Sequence, residues 1–313
     1  MNILITGATG LIGNAIIKKL IRKGNKIIGL SRTMQEDTNF IQWIQHDLLN
    51  DEIRSLKLPK NIDVVYHLAG QTSAYIAKND PVSDLNINVL GFLNLLEYFK
   101  LVRECPFVVL AGTATEVGLV DTFPINEEMK DNPITFYDLS KLTAENYLKQ
   151  YVLEGWVRGC TLRLANVFGR SQKGQNKDRG IIDKIFNRAL AKKNITIFGD
   201  GEYIRDYIFI DDVVSAFIQS SEFSDKTNGR TFYIGSGDGI SLKNAFQKVI
   251  DLAEKISGTQ VQFVHVSPPK ELSDIEFRSA IIDSSFFTEA TGWKPEYDFD
   301  SGLLAAYQHY LPN

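Results

Sequence analysis

Thr6-Gly7-Ala8-Thr9-Gly10-Leu11-Ile12-Gly13 lies between an apolar run, Ile3-Leu4-Ile5, and an amphipathic run over residues 14–22. This order predicts a strand, a tight glycine turn and a helix. Gly7 can take a turn conformation that a Cβ would penalise. Gly10 lets the backbone approach a diphosphate, and Gly13 lets the helix pack close to the strand. The first N–H groups of the helix then face the phosphates, with the helix dipole behind them. A bare glycine motif is weak, and the strand before it and helix after it give it its meaning.

Working outward, 313 residues can bury one large or two moderate cores. Hydrophobic residues at 44% and charged residues at 23% are ordinary for a globular chain. A net charge of −4 without a basic block argues against a nucleic-acid surface or polybasic membrane patch. No apolar run approaches membrane-span length. A first strand beginning at Asn2 leaves no room for a signal peptide, so a soluble cytoplasmic protein is expected. Cys105 and Cys160 are expected to be reduced and mostly buried thiols. The four histidines, His46, His67, His265 and His309, lack metal-ligand spacing.

Residues 26–30 read as a second strand ending at Ser31-Arg32. In a dinucleotide fold an acid near this point takes the adenosine ribose hydroxyls, whereas an arginine accommodates a 2′-phosphate. Arg32 therefore favours NADP over NAD. Residues 40–44 read as a third strand, followed by Asp47-Leu48, where Asp47 either meets the adenine amino group or caps a helix near residues 52–53. Residues 63–70 form an apolar strand closing on Leu68-Ala69-Gly70, of the kind found in covered parallel sheets. Residues 84–100 predict a helix that is apolar on nearly all faces and so needs two covers, the sheet and a partner subunit. Residues 106–112 form a further strand, with Thr113 just past its end. A helix from Tyr137 follows, then a strand over residues 160–168. The alternation argues for a doubly wound parallel sheet. From Gly169 the character shifts, and residues 231–234 look like a returning core strand. The expected division is a dinucleotide-binding part over residues 1–168, with returning segments near 206–236. A smaller, interleaved substrate part takes residues 169–205 and 237–313.

Tyr137 and Lys141, four apart, share a helix face. A tyrosine is a poor acid or base near neutrality. A nearby lysine, with an oxidised nicotinamide, would favour the phenolate and lower its pKa. Tyr137 could then exchange a proton with a sugar hydroxyl while hydride moves at the same carbon. Thr113 would hold the same oxygen, and Lys141 would also bind the nicotinamide ribose.

With these residues the sequence resembles the extended short-chain dehydrogenase/reductase family, in its nucleotide-sugar epimerase, dehydratase and ketoreductase branch. The resemblance runs nearly end to end. It covers the glycine turn, Asp47-Leu48, His67-Leu68-Ala69-Gly70, Asn88-Val89-Leu90-Gly91, Asn94-Leu95-Leu96-Glu97, Tyr137 to Lys141, Arg163 to Gly169, Arg205-Asp206-Tyr207 and Gly292-Trp293-Lys294-Pro295. It implies a Rossmann-type α/β fold, with Thr113, Tyr137 and Lys141 as the catalytic trio. It implies that Asn88 stabilises the active-site helix, that Asn166 contacts a nucleotide sugar, and that Arg205 and Arg278 grip its diphosphate. It implies that Gly199-Asp200-Gly201 lies beside the nucleotide base. It also implies a homodimer through the helices 84–100 and 137–153. Arg205 has the alternative of pairing with Asp211 or Asp212. Lys173, Lys177 and Arg179 read as a solvated loop or a lid.

Two departures narrow the reaction. The family's dehydratases follow the catalytic hydroxyl with an Asp-Glu pair. Here Thr113 is followed by Ala114-Thr115, and Glu116 comes one position late, so elimination of water is disfavoured. Ser31-Arg32 replaces the acid that NAD-recycling epimerases of the family keep. The expectation is therefore NADPH-dependent reduction of a nucleotide-linked 4-keto-6-deoxy sugar at C4, with Tyr137 as acid. The alternative is a nucleotide-sugar 4-epimerase holding NAD. A reductase of small carbonyls and a non-catalytic dinucleotide sensor are the more distant readings.

Overall fold

The computed structural model describes residues 1–169, 180–258, 260–267 and 277–310. The first half alternates strands and helices. It runs β1 (Asn2–Thr6), α1 (Leu11–Ile21), β2 (Lys26–Ser31), β3 (Ile41–Gln45), β4 (Val64–His67), α2 (Ala74–Asn79), α3 (Pro81–Leu85), α4 (Gly91–Val102), β5 (Phe107–Thr113), α5 (Phe136–Leu153) and β6 (Arg158–Leu164). Then come β7 (Asn166–Phe168), α6 (Ile181–Leu190), β8 (Ile195–Phe198), β9 (Ile204–Phe209), α7 (Ile210–Glu222), α8 (Ser224–Thr227) and β10 (Thr231–Ile234). The last part holds β11 (Gly239–Ser241), α9 (Leu242–Ser257), β12 (Phe263–Val266), α10 (Ser285–Thr291) and α11 (Phe299–Tyr307).

A seven-stranded sheet in the order β10-β6-β5-β4-β1-β2-β3 forms the centre, and all its pairings are parallel. Side chains alternate across a strand, so one strand feeds two cores. Ile3 and Ile5 enter the core beside α1 and α7, whereas Leu4 enters the one beside α4 and α5. Val109 and Val108 divide in the same way. Both faces being covered explains the unbroken apolar runs. Strand order reverses between β1 and β4, which opens a crevice at their carboxyl ends where such sheets take ligands.

Several expectations change. The strand expected over residues 160–168 is two strands: β6 stays in the large sheet, while β7 pairs with β9 in a second sheet, β11-β9-β7. The chain changes sheet at Ala165, whose N–H still bonds Ile234 O at 2.9 Å. β9, which overlaps the region near 206–236 where segments returning to the dinucleotide-binding part are expected, pairs in the small sheet. Near residues 52–53 there is only one short turn, Ile53–Ser55. Among the described residues one helical stretch, Pro81–Val102, is long and apolar enough to cross a membrane by length and composition. The expectation of no such run therefore fails on that criterion, although Phe92, Leu95, Leu96 and Phe99 of this stretch fill the core.

Asp206 on β9 joins the sheets. Its carboxylate accepts from Ser236 N and Oγ at 2.8 Å, Gly237 N at 3.0 Å and Ile282 N at 3.1 Å. Trp293 of the closing motif is buried and donates its indole N–H to Ser215 Oγ on α7 at 2.8 Å. Asp206→Ala should lower unfolding stability by about 3 kcal/mol, because several buried N–H donors lose a charged acceptor. Urea unfolding checks this, and an unchanged midpoint would contradict the role assigned to Asp206.

Candidate active site

The glycine turn has the geometry its sequence requires. Gly7 sits at φ +63°, and a Cβ there would lie 2.6 Å from the Leu68 carbonyl group. A Cβ on Gly13 would lie 2.5 Å from Gly7 O, so only glycine allows α1 this close to the turn. Leu11 and Ile12 form the first turn of α1, Thr9 precedes the Gly10 cap, and no acidic residue occupies that first turn. The helix end is thus arranged for an anion, and the cradle fits the diphosphate of a dinucleotide. Thr6 Oγ1 accepts from Leu68 N and Ala69 N at 3.2 and 3.1 Å, tying the turn to the end of β4. A Cβ on Gly70 would lie 2.8 Å from Asn88 Oδ1. His67 is buried beside Thr6, and burial followed by the Lys141 charge pushes its imidazole down to about 3. It is a neutral structural group.

At the far edge, Ser31 ends β2 and Arg32 is exposed. The acid closest along the chain that makes a defined contact, Asp37, accepts from Trp43 N at 2.6 Å and so braces β3. Asp47 accepts from Leu49 N at 3.0 Å and Asn50 Nδ2 at 2.9 Å, capping its own turn. Leu48 O accepts from Asn94 at 2.6 Å.

Asn88 lies in a wider helical turn, Asn86–Leu90, between α3 and α4. Such turns occur often at functional sites. Its Oδ1 accepts from Gln71 N at 2.9 Å and its Nδ2 donates to the buried Asp84 at 3.0 Å. Asn88 therefore holds the loop after β4 against the helix.

Thr113, Tyr137 and Lys141 converge. Thr113 ends β5, and its hydroxyl hydrogen-bonds the Tyr137 phenol. Tyr137 is half-buried and Lys141 is buried, both on α5. In the protein alone, without the nicotinamide charge that the expected lowering also calls on, the phenol moves the other way. Burial, then the Glu116, Asp138 and Asp84 carboxyls, raises the phenol, and only the Thr113 bond opposes them. Burial also lowers Lys141, while Glu116, Asp84 and Glu145 act to keep its proton. Tyr137 is consequently held as a phenol.

Glu116 does point elsewhere, as the shifted spacing implied. It is buried, accepts from Thr113 N at 2.9 Å and pairs with Arg163 Nε at 3.0 Å. Burial, then the Glu145 charge, pushes its carboxyl up to about 8. Arg163 also bonds Glu145 at 2.8 Å, Asp131 at 2.9 Å and the Tyr233 hydroxyl at 2.9 Å. Nothing local in the sequence marks that Arg163 and Glu116 meet.

On the other side, Asn166 begins β7 and is half-buried. Arg205 is buried and donates to the carbonyls of Ile204, at 3.2 Å, and Arg278. The two arginines are therefore neighbours. Asp212 instead accepts from Glu296 N at 2.8 Å and Tyr297 N at 3.1 Å, so it anchors the carboxyl-terminal segment. The Arg278 charge acts on the Asp138 carboxyl beside Tyr137, which brings this edge to the trio. Gly199 and Gly201 both have positive φ and form a turn between β8 and β9. Lys173, Lys177 and Arg179 lie outside the described residues.

Arg163→Met should cost about 3–5 kcal/mol in thermal or urea unfolding, because it leaves buried carboxyls without their counter-charge. A loss below 1 kcal/mol would show that the cluster does not depend on it.

Comparison with known proteins agrees with this geometry. Residues 3–235 match the model of the NAD dependent epimerase/dehydratase family. UDP-glucose 4-epimerase from Mycolicibacterium smegmatis is 26% identical over 319 residues, 99% of this chain and 98% of that protein. dTDP-4-dehydro-6-deoxyglucose reductase from Escherichia coli is 28% identical over 318 residues, 96% of this chain and 95% of that one. The solved UDP-glucose 4-epimerase of Thermotoga maritima, with UDP-glucose, superposes with a TM-score of 0.87 at 29% identity, covering 99% of this chain and 98% of that one. The chain belongs to the NAD-dependent epimerase/dehydratase family, in the extended short-chain dehydrogenase/reductase branch.

Proposed function

We propose that the protein reduces a nucleotide-linked 4-keto-6-deoxy sugar at C4, using NADPH. The observation that carries this choice is the edge of β2. Ser31-Arg32 stands where a ribose-binding acid would select NAD, Arg32 is exposed there, and the Asp37 carboxylate braces Trp43 N. Gly7, Gly10 and Gly13 would hold the diphosphate, Arg32 the 2′-phosphate, and Lys141 the nicotinamide ribose. Bound there, the nicotinamide supplies hydride. Tyr137, raised and protonated, gives its proton to O4 while Thr113 positions that oxygen. Arg278, braced by Arg205, and Asn166 take the nucleotide diphosphate, on the side where β7 and β9 meet the segment from residue 277. A guanidinium suits that task.

A 4-epimerase with retained NAD is the second reading, favoured by the similarity to UDP-glucose 4-epimerases. Exposed Leu90, Leu101, Leu139, Tyr147 and Leu153 lie on α4, α5 and the turn before α4, and they support a homodimer through these helices.

Denaturing the purified protein and identifying the released nucleotide separates the two readings. Weakly held or absent nucleotide, with NADPH oxidation against 4-keto sugars, is expected. Stoichiometric NAD without NADPH oxidation would overturn the reductase. Arg32→Ala should reduce the preference for NADPH over NADH by about tenfold or more, the scale of one charge-assisted contact. An unchanged preference would overturn the role of Arg32. Because Tyr137 is raised and acts as an acid, kcat/KM for reduction should not fall from neutral pH up to about 10, the ordinary tyrosine value. A fall centred between pH 7 and 9, absent from a control for folding, would contradict that state. Tyr137→Phe should lose about 10²- to 10⁴-fold in turnover.

A further inference from the structure

Asp138 follows the catalytic tyrosine, and nothing in the reaction above uses it. It is buried, at 1% exposure. Thr115 Oγ1 donates to Asp138 Oδ1, and Thr115 Oγ1 lies 2.9 Å from Thr113 Oγ1. Thr113 Oγ1 also accepts from Thr115 N at 3.3 Å and bonds the Tyr137 phenol. A line of hydroxyls thus runs from a buried carboxyl to the oxygen beside the reacting carbon.

Each hydroxyl has one hydrogen to give. With Asp138 ionised, the Thr115 hydrogen is committed to the carboxylate. Thr113 must then donate to Thr115, and it presents only lone pairs to the sugar oxygen. With Asp138 protonated, the order reverses. Asp138 donates to Thr115, Thr115 donates to Thr113, and Thr113 can donate to O4. A ketone oxygen only accepts, and it gains negative charge as hydride arrives, so the second order stabilises reduction. The first order suits a sugar hydroxyl, which can donate.

We propose that Asp138 and Thr115 are positioning residues that set whether Thr113 donates or accepts at the reacting oxygen, the proton on Asp138 selecting the donor state. The groups facing Asp138 are Thr115 on the turn after β5, Thr135 at the cap of α5, Tyr137 on α5 and Arg278 from the carboxyl-terminal segment. Burial pushes the Asp138 carboxyl up, while the Thr115 and Thr135 hydroxyls, and then the Arg278 charge, hold it down. A raised carboxyl keeps its proton above the usual carboxylate range. Reduction should therefore gain as pH falls through the Asp138 titration and lose as pH rises through it, on the acid side of the Tyr137 limb. The inference rests on the reading that O4 sits between Thr113 and Tyr137, which the reductase and the epimerase share.

The test compares kcat/KM for ketone reduction against pH in wild type, Thr115→Val and Thr115→Ser. Wild type and Thr115→Ser should show an acid-side limb of about tenfold or more, the scale of one donor to a developing oxyanion. Thr115→Val should lose that limb yet keep the alkaline one. An identical limb in Thr115→Val, or none in wild type, would overturn the relay. Infrared difference spectra of wild type against Asp138→Asn, taken across pH without substrate, report the carboxyl directly. A carboxyl ionised throughout the limb would overturn the relay independently of turnover. A protein that reduces no 4-keto nucleotide sugar at any pH, while its Asp138 carboxyl titrates as described, would instead overturn the proposed reaction.

Discussion

The Arg163 guanidinium binds together parts of the chain that are distant in sequence. It sits on β6, pairs with Glu145 on α5 and Glu116 in the turn after β5, and reaches Asp131 and the Tyr233 hydroxyl on β10. Glu116 in turn accepts from Thr113 N, and α5 carries Tyr137 and Lys141. The relative placement of strand end and helix, and so of the threonine and tyrosine oxygens, depends on this one fork of donors. A planar guanidinium meets several carboxyls at fixed angles, which an ammonium does not. Its stabilising value is small against an apolar replacement of the whole cluster, but removing one partner leaves charge buried. The arrangement is better understood as fixing geometry than as adding stability.

The same cluster sets the electrostatics of the site. Glu116, Asp84 and Glu145 lie around Lys141 and counter the burial that would strip its proton. Glu116 and Asp84, together with Asp138, also raise Tyr137. A phenol in this field is an acid, which fits proton delivery to a ketone. The positive charge of an oxidised nicotinamide would act in the opposite sense. The protein alone therefore favours the state needed with a reduced cofactor.

Much of the fold was legible in residues. Ile3-Leu4-Ile5 and the strand over residues 106–112 had to be covered on both faces, and Gly7 and Gly13 had to lack a Cβ. Periodicity reported these features because they are local. The sheet change at Ala165 was hidden because residues 160–168 are continuously strand-like, and pairing partners, not propensity, divide them. The trio was visible as a pattern, whereas the raised phenol was not. It depends on carboxyls from α3, the turn after β5 and α5 meeting in space. The burial of Asp138 has no sequence signal, because a charged residue in the first turn of a helix usually faces water. Its burial follows from Thr115, 23 positions away, whose hydroxyl it accepts.

The central claim is that hydride leaves a reduced, phosphorylated nicotinamide for C4 of a nucleotide-linked sugar and stays there. The most direct measurement supplies NADPH carrying deuterium at the transferable position, together with a 4-keto-6-deoxy nucleotide sugar, and follows the label by NMR and mass spectrometry. One deuterium at C4 of the product, with one NADP released per turnover, is the predicted result. No deuterium at C4 and no NADP released, while a 4-hydroxy nucleotide sugar supplied in its place is inverted at C4 on a nucleotide that never leaves the protein, would contradict the claim.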